Sequence, residues 1–130
     1  MGHGDLAVGD TFTHSRSIEV GDIQAFAELT EDRGVHHSAE QQPAIAHGLL
    51  AASVATKIGG GLDFLSREMQ MTFLLPVRAG DVVEATITIT SAERPRQGRQ
   101  KIAMEIVCRN QHEVLVLAGT ATGYLPARDR

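Results

Sequence analysis

The feature that most limits how this chain can fold is a helix without a polar face, set ahead of four alternating runs. Between His47 and Ile58 the residues are apolar or small nearly all round: Gly48, Leu49, Leu50, Ala51, Ala52, Ser53, Val54, Ala55. Such a helix belongs in an interior. Gly59-Gly60-Gly61 is expected to stop it. After it the period shortens to two. Met69, Met71 and Phe73 alternate with polar neighbours, as do Val83, Ala85, Ile87 and Ile89, then Ile102, Met104, Ile106 and Cys108, then Val114, Val116 and Ala118. This is the pattern of antiparallel strands with one buried face. The expected class is α+β, with an antiparallel sheet wrapped around a buried central helix.

Upstream, Gly9 to His14 reads as a short strand. Ile23, Phe26, Ala27 and Thr30 fall at helical spacing, which predicts an amphipathic helix over about 19–30 with Asp22 suiting its first turn. Residues 31–46, with Gly34 and Pro43, read as a loop, and 76–81 and 93–99 as turns between strands. The residues before Leu6 and after Leu125 read as ragged ends. At 130 residues the expectation is a single domain over 1–130. A small curved sheet of this kind often completes itself against a second copy, so a homodimer is expected, with a heterodimer with a related subunit as the alternative.

Charge and composition remove several functions. Twelve basic against sixteen acidic residues give −4, and Trp is absent. Neither the basic footprint nor the stacking surface of a nucleic-acid binder is present. Cys108 is the single cysteine, which fits a reducing compartment. No secretory signal is visible, and the longest apolar stretch is far too short for a bilayer, so the cytoplasm is the expected location.

Two polar clusters interrupt the pattern. In Asp32-Arg33-Gly34-Val35-His36-His37, a carboxylate and an imidazole five residues apart share a loop. Those groups move protons near neutral pH. An ordinary solvated turn explains the same residues, and spacing alone leaves both open. In Ala46-His47-Gly48-Leu49-Leu50, Gly48 would open the buried helix and present a free backbone N–H to a carbonyl oxygen. A glycine kept for helix–sheet packing is equally compatible. His47 reads as a cap or a hydrogen-bonded core histidine.

The stretches Phe26 to Asp32, then His37, then Ile45 to Leu50, then Phe73 to Asp81 occur in the order of the signatures of the MaoC-like dehydratase or R-specific enoyl-CoA hydratase family, which the chain resembles over about residues 8–90. The resemblance implies a hot-dog fold, a dimer and no cofactor. It also implies reversible syn hydration of a trans-2-enoyl thioester, carried by coenzyme A or a carrier protein, to an (R)-3-hydroxyacyl thioester. Asp32 and His37 would hold the water, and Gly48 would take the thioester oxygen. Thr56, eight residues after Gly48, would support the acid. The chain departs from the family in three ways. Gly34-Val35 replaces an Asn-Pro. His36 competes with His37, although spacing from Asp32 favours His37. Only ten positions separate His37 from His47, which points to an altered, more open substrate site to which His36 and His47 would contribute.

A metal is not expected: adjacent histidines rarely share one ion, and no helical His-x-x-x-His pair exists. Cys108 falls in phase with buried strand residues and is not expected to act as a nucleophile. Met69 and Met71 read as core. Gly59 to Gly61 lacks the ending of a phosphate loop. Arg94, Arg96, Arg99 and Lys101 cluster at one turn; they read as a solvated hairpin tip or as a contact for coenzyme A phosphates, Arg94 and Arg96 foremost. Two other functions stay open: a hot-dog acyl-CoA thioesterase, and a non-catalytic subunit that binds acyl thioesters.

Overall fold

The structure, a computed structural model, describes residues 5–38, 40 and 42–126. The expected ragged ends fall partly on 1–4 and 127–130, outside the described residues. Strand β1 (Thr11–Ser17) is followed by helix α1 (Val20–Thr30) and a 3-10 turn, Val35–His37. Then come α2 (Gly48–Ala52), a 3-10 turn (Ser53–Ala55) and α3 (Thr56–Gly61). Four strands close the chain: β2 (Leu65–Phe73), β3 (Val82–Ala92), β4 (Arg99–Arg109) and β5 (Leu115–Pro126). All pair antiparallel in one sheet, in the order β1-β3-β4-β5-β2.

Helix α1 begins where Asp22 accepts the Glu19 N–H at 2.8 Å and pairs with Arg16 at 2.6 Å. It buries Ile23. The run 48–61 is the central helix, and it packs against β1 and β3. It buries Leu50, Ala51, Ala52, Val54, Ala55 and Ile58. Leu49 is 67% exposed, so the helix is not enclosed on every side. The hydroxyls of Ser53 and Thr56 donate to the carbonyls of Leu50 and Ser53, each at 2.6 Å, beside the 3-10 turn. The three glycines do not stop the helix as expected; it carries through them to Gly61. Leu62, which is buried, closes it by donating to the carbonyls of Ile58 and Gly59. Burial of Leu62 outweighs the low helix propensity of glycine.

The sheet register explains the core. Ala85, Cys108, Leu117 and Phe73 lie in one row across β3, β4, β5 and β2; Ile87, Ile106, Gly119 and Met71 form the next; Ile89, Met104, Ala121 and Met69 the third. The β3, β4 and β5 members of the outer two rows are buried, as are Ile87 and Ile106 in the middle one. The β2 members are not all buried: Met69 is 50% and Phe73 51% exposed, against the expectation of a core methionine pair. The edge strand extends past the cover of the helix. β5 also departs from the expected phase. Val114 precedes the strand and is exposed, and the buried set is Val116, Leu117, Ala121 and Leu125. The register shift between Cys108 and Arg109 moves the alternation. β2 can lie against β5 because Gly119 and Gly123 have no Cβ, which would collide with the carbonyl oxygens of Gln70 and Leu65. Among the described residues no helix is long and apolar enough to cross a membrane.

Two outcomes follow from this core. Ile89→Ala is expected to lower stability by about 2–5 kcal/mol in urea denaturation; a loss below ~1 kcal/mol would show that this row is not tightly packed. Burial pushes the Cys108 thiol up to about 11. A thiol reagent at pH 8 should therefore label the protein only after denaturant is added, and rapid labelling of the native protein would place Cys108 outside the core.

Candidate functional site

The site is assembled where α1 ends and α2 begins. At the end of α1, the Thr30 hydroxyl donates to the Phe26 carbonyl at 2.8 Å and accepts the Asp32 N–H at 3.2 Å. Glu31 between them sits at φ 63, in the left-handed region, and turns the chain out of the helix. Asp32 then accepts the Gly34 N–H on Oδ1 at 3.2 Å. Its other oxygen, Oδ2, faces His37 Nε2 at 3.9 Å, a separation too long for a direct hydrogen bond. The Asp32 side chain is 58% exposed and that of His37 only 8%. The acid is thus reachable, while the imidazole is held.

What holds it is a backbone carbonyl. His37 Nδ1 lies 2.7 Å from the Ile45 oxygen. A carbonyl only accepts, so Nδ1 carries a proton, and in the neutral tautomer of the ring the Nε2 lone pair faces Asp32. The carbonyl is itself fixed: Ile45 N–H donates to the His36 carbonyl at 2.8 Å, and Ala46 N–H to the Val77 carbonyl at 2.8 Å.

His47 is wired in the opposite sense. It is 3% exposed, and its Nε2 donates to the Asp32 carbonyl at 2.9 Å. Its ring stacks on His37, with centroids 3.7 Å apart and planes 18° apart, and its other side meets Phe26 at 4.8 Å. One buried ring therefore braces both the backbone of the acid and the face of the imidazole. Its Nδ1 is buried with no partner among the described residues. His47 stands at the N-cap of α2 but makes no side-chain cap.

Beside this cluster is a groove of about 510 Å³. His36, His37 and Gly48 line it together with Leu49, Phe73 and Leu75. Gly48 is at the first turn of α2, where its N–H has no acceptor within the helix. A Cβ there would meet the Phe73 ring at 2.8 Å, so the glycine is what lets Phe73 close this wall.

Asp32, His37 and Gly48, expected from the sequence, are thus brought to one place, and His36 joins them. His47 sits as the expected hydrogen-bonded core histidine, buried and bonded to the Asp32 backbone, and it is not among the residues that line the groove. Thr56, expected to support the acid, donates its hydroxyl to the Ser53 carbonyl and lines a separate cavity between helix and sheet. Arg94 and Arg96 line a third depression at the β3–β4 turn. Sequence reasoning missed Thr30, Ile45 and Phe73. Ile45 orients His37 through its carbonyl, which no side-chain pattern reveals.

Asp32, His37 and His47 each place a ligand-type atom within 4.8 Å of the others. Nε2 of His47 is committed to the Asp32 carbonyl, so that ring has only its buried Nδ1 to offer an ion.

A profile described as the Thioesterase superfamily matches residues 49–116. The chain is 32% identical to a 3-hydroxybutyryl-CoA dehydratase of Methylorubrum extorquens, over 96% of this chain and 84% of that protein. It is 28% identical to an (R)-specific enoyl-CoA hydratase of Rhodospirillum rubrum, over 95% and 91% respectively. The solved (R)-hydratase from A. caviae superposes with a TM-score of 0.80 at 27% identity, covering 93% of this chain and 98% of that one.

The wiring makes a prediction independent of any reaction. In nitrogen-15 NMR of the imidazoles, at a pH where both rings are neutral, His37 should carry its proton on Nδ1 and His47 on Nε2. Finding the Nε2–H form at His37 would overturn the assignment.

Proposed function

From the thioesterase superfamily, to which the chain belongs, we propose a hydro-lyase that adds water reversibly to a trans-2-enoyl thioester, giving an (R)-3-hydroxyacyl thioester. The observation that carries this reading is the Asp32–His37 pair, 3.9 Å apart, with His37 fixed by the Ile45 carbonyl beside the groove. The curated relatives named above, hydratase and dehydratase, support it.

In this reading a water oxygen sits at hydrogen-bond distance from both Asp32 Oδ2 and His37 Nε2. The pair takes one proton from the water as its oxygen bonds to the β-carbon. The electrons of the double bond move toward the thioester carbonyl, whose oxygen accepts the Gly48 N–H. The pair returns one proton to the α-carbon. Atoms and charge balance, and the thioester bond is untouched. The acyl group extends along the apolar wall formed by Leu49, Phe73 and Leu75. His36, exposed at the groove, contacts the substrate rather than the water.

The reading includes a homodimer. β2 is an unpaired edge, and Leu65, Met69, Phe73, Leu74 and Leu75 are exposed along or just beyond it. A second copy covers such an edge. It also takes residues 1–130 as one domain, and a cytoplasmic setting, which suits Cys108 as a buried free thiol.

The test is absorbance at the enoyl-thioester band with crotonyl-CoA. Wild type should bleach the band without releasing free thiol. Asp32→Asn and His37→Ala should each lower the rate by at least about a hundredfold with the fold intact by circular dichroism. Release of thiol would make the protein a thioesterase, the other activity its superfamily name admits. An unchanged rate in both variants would remove the pair from the chemistry.

A further inference from the structure

Burial alone does not explain why position 47 is a histidine. His47 is 3% exposed, and its Nδ1 has no hydrogen-bond partner among the described residues. A buried polar atom left unpaired is destabilising, and a folded protein keeps one where another requirement outweighs the loss. A phenylalanine ring would occupy the same place without that atom. The requirement is visible in the rest of the ring. Nε2 donates to the Asp32 carbonyl at 2.9 Å, and the ring stacks on His37 at 3.7 Å. Phenylalanine offers the face without the donor, and glutamine the donor without the face. Histidine offers both at this size.

Both contacts end on the Asp32–His37 pair, while His47 itself does not line the groove. Asp32 is tied at three points. Its N–H donates to the Thr30 hydroxyl at 3.2 Å, its Oδ1 accepts the Gly34 N–H at 3.2 Å, and its carbonyl accepts from His47. Thr30 and Gly34 are each two residues away and shape the turn. His47, fifteen residues away, ties that turn to the start of α2. His37 is held at its edge by the Ile45 carbonyl and on its face by His47. A single hydrogen bond leaves a ring free to swing about it, and a stacked face removes that freedom. The 3.9 Å between Asp32 Oδ2 and His37 Nε2 is thus referred to one further ring. Phe26, 4.8 Å from His47, steadies that ring from α1.

Resting on the proposed function, we propose that His47 is a positioning residue for the hydration: it holds the acid and the imidazole at the span of one shared water, and its unpaired Nδ1 is retained because no apolar ring can do the same. It touches neither substrate nor water. It also precedes Gly48 directly, so the proton pair and the amide that receives the thioester oxygen take their positions from adjacent residues.

The test compares His47→Phe and His47→Gln in the full-length protein, by kinetics with crotonyl-CoA, thermal unfolding and nitrogen-15 NMR of the imidazoles. In His47→Phe, kcat should fall on the order of tenfold or more while KM stays within about twofold, because the pair loses its spacing and the groove keeps its lining. Its Tm should stay level or rise, since the unpaired atom is gone. In His47→Gln, kcat should fall as well, and His37 should no longer show the Nδ1–H form alone, whereas the Phe variant keeps it. Loss of kcat without loss of Tm is what a merely structural residue would not give. A Tm that falls together with kcat in His47→Phe would overturn the proposal, as would wild-type kcat in either variant. A rise in KM alone would also overturn it, by making His47 part of the binding surface. If wild type does not turn over crotonyl-CoA, the hydratase reading fails by itself, and the His37 spectrum of His47→Gln still decides the brace: an unchanged spectrum overturns it.

Discussion

The structure depends on burying a helix made of small side chains inside a curved sheet. Ala51, Ala52 and Ala55 give the central helix little volume, and the sheet supplies the bulk through Ile87, Ile89, Ile102, Met104 and Ile106. Short side chains on one element and long ones on the other let the backbones approach and still fill the interior. This packing fixes where the helix starts. Gly48 stands at the end of β2, against Phe73. The groove exists because the helix begins there, short of covering the edge strand.

Much of this could be read from the sequence, for a physical reason. Period-two alternation in β3 and β4 is enforced by a buried face, so Val83 to Ile89 and Ile102 to Cys108 announced themselves. The signal weakened where burial was one-sided or backbone geometry intervened. β2 alternates because its inner face is apolar, yet Met69 is half exposed, since the pattern records which face a residue occupies and not what covers it. The phase of β5 was lost at a register shift, which has no residue signature here. The glycines 59–61 have a low helix propensity, but the packing of Leu62 decided the outcome.

The same division holds in the site. Asp32, His37 and Gly48 were visible because their side-chain chemistry, or in glycine its lack, is distinctive. What turns them into a site is carried by backbone carbonyls. Ile45 sets the tautomer of His37, and Asp32 sets that of His47, so two stacked imidazoles hold their protons in opposite senses. The short connection between the histidines achieves this. Ile45 is bridged to Arg78 and its amide bonds the His36 carbonyl, which fixes the backbone that carries the acceptor of His37. The imidazole is oriented by a backbone carbonyl rather than by a carboxylate behind it, and the exposed Asp32 carboxylate stands 3.9 Å from its other nitrogen.

The exposed half of the fold obeys the same logic. At the start of the helix the edge strand comes so close that a side chain at position 48 would collide with the Phe73 ring. The uncovered surface, Met69 through Leu75, is therefore tied to the position of the groove rather than being an accident of composition. Any partner that covers β2 must also approach the groove, since Phe73 belongs to both. Stability of the edge and access to the site are thereby coupled through one residue. A bulky change on the exposed face of Phe73 would be felt in both, whereas a change at the far end of β2, near Leu65, would act on the edge alone within that chain.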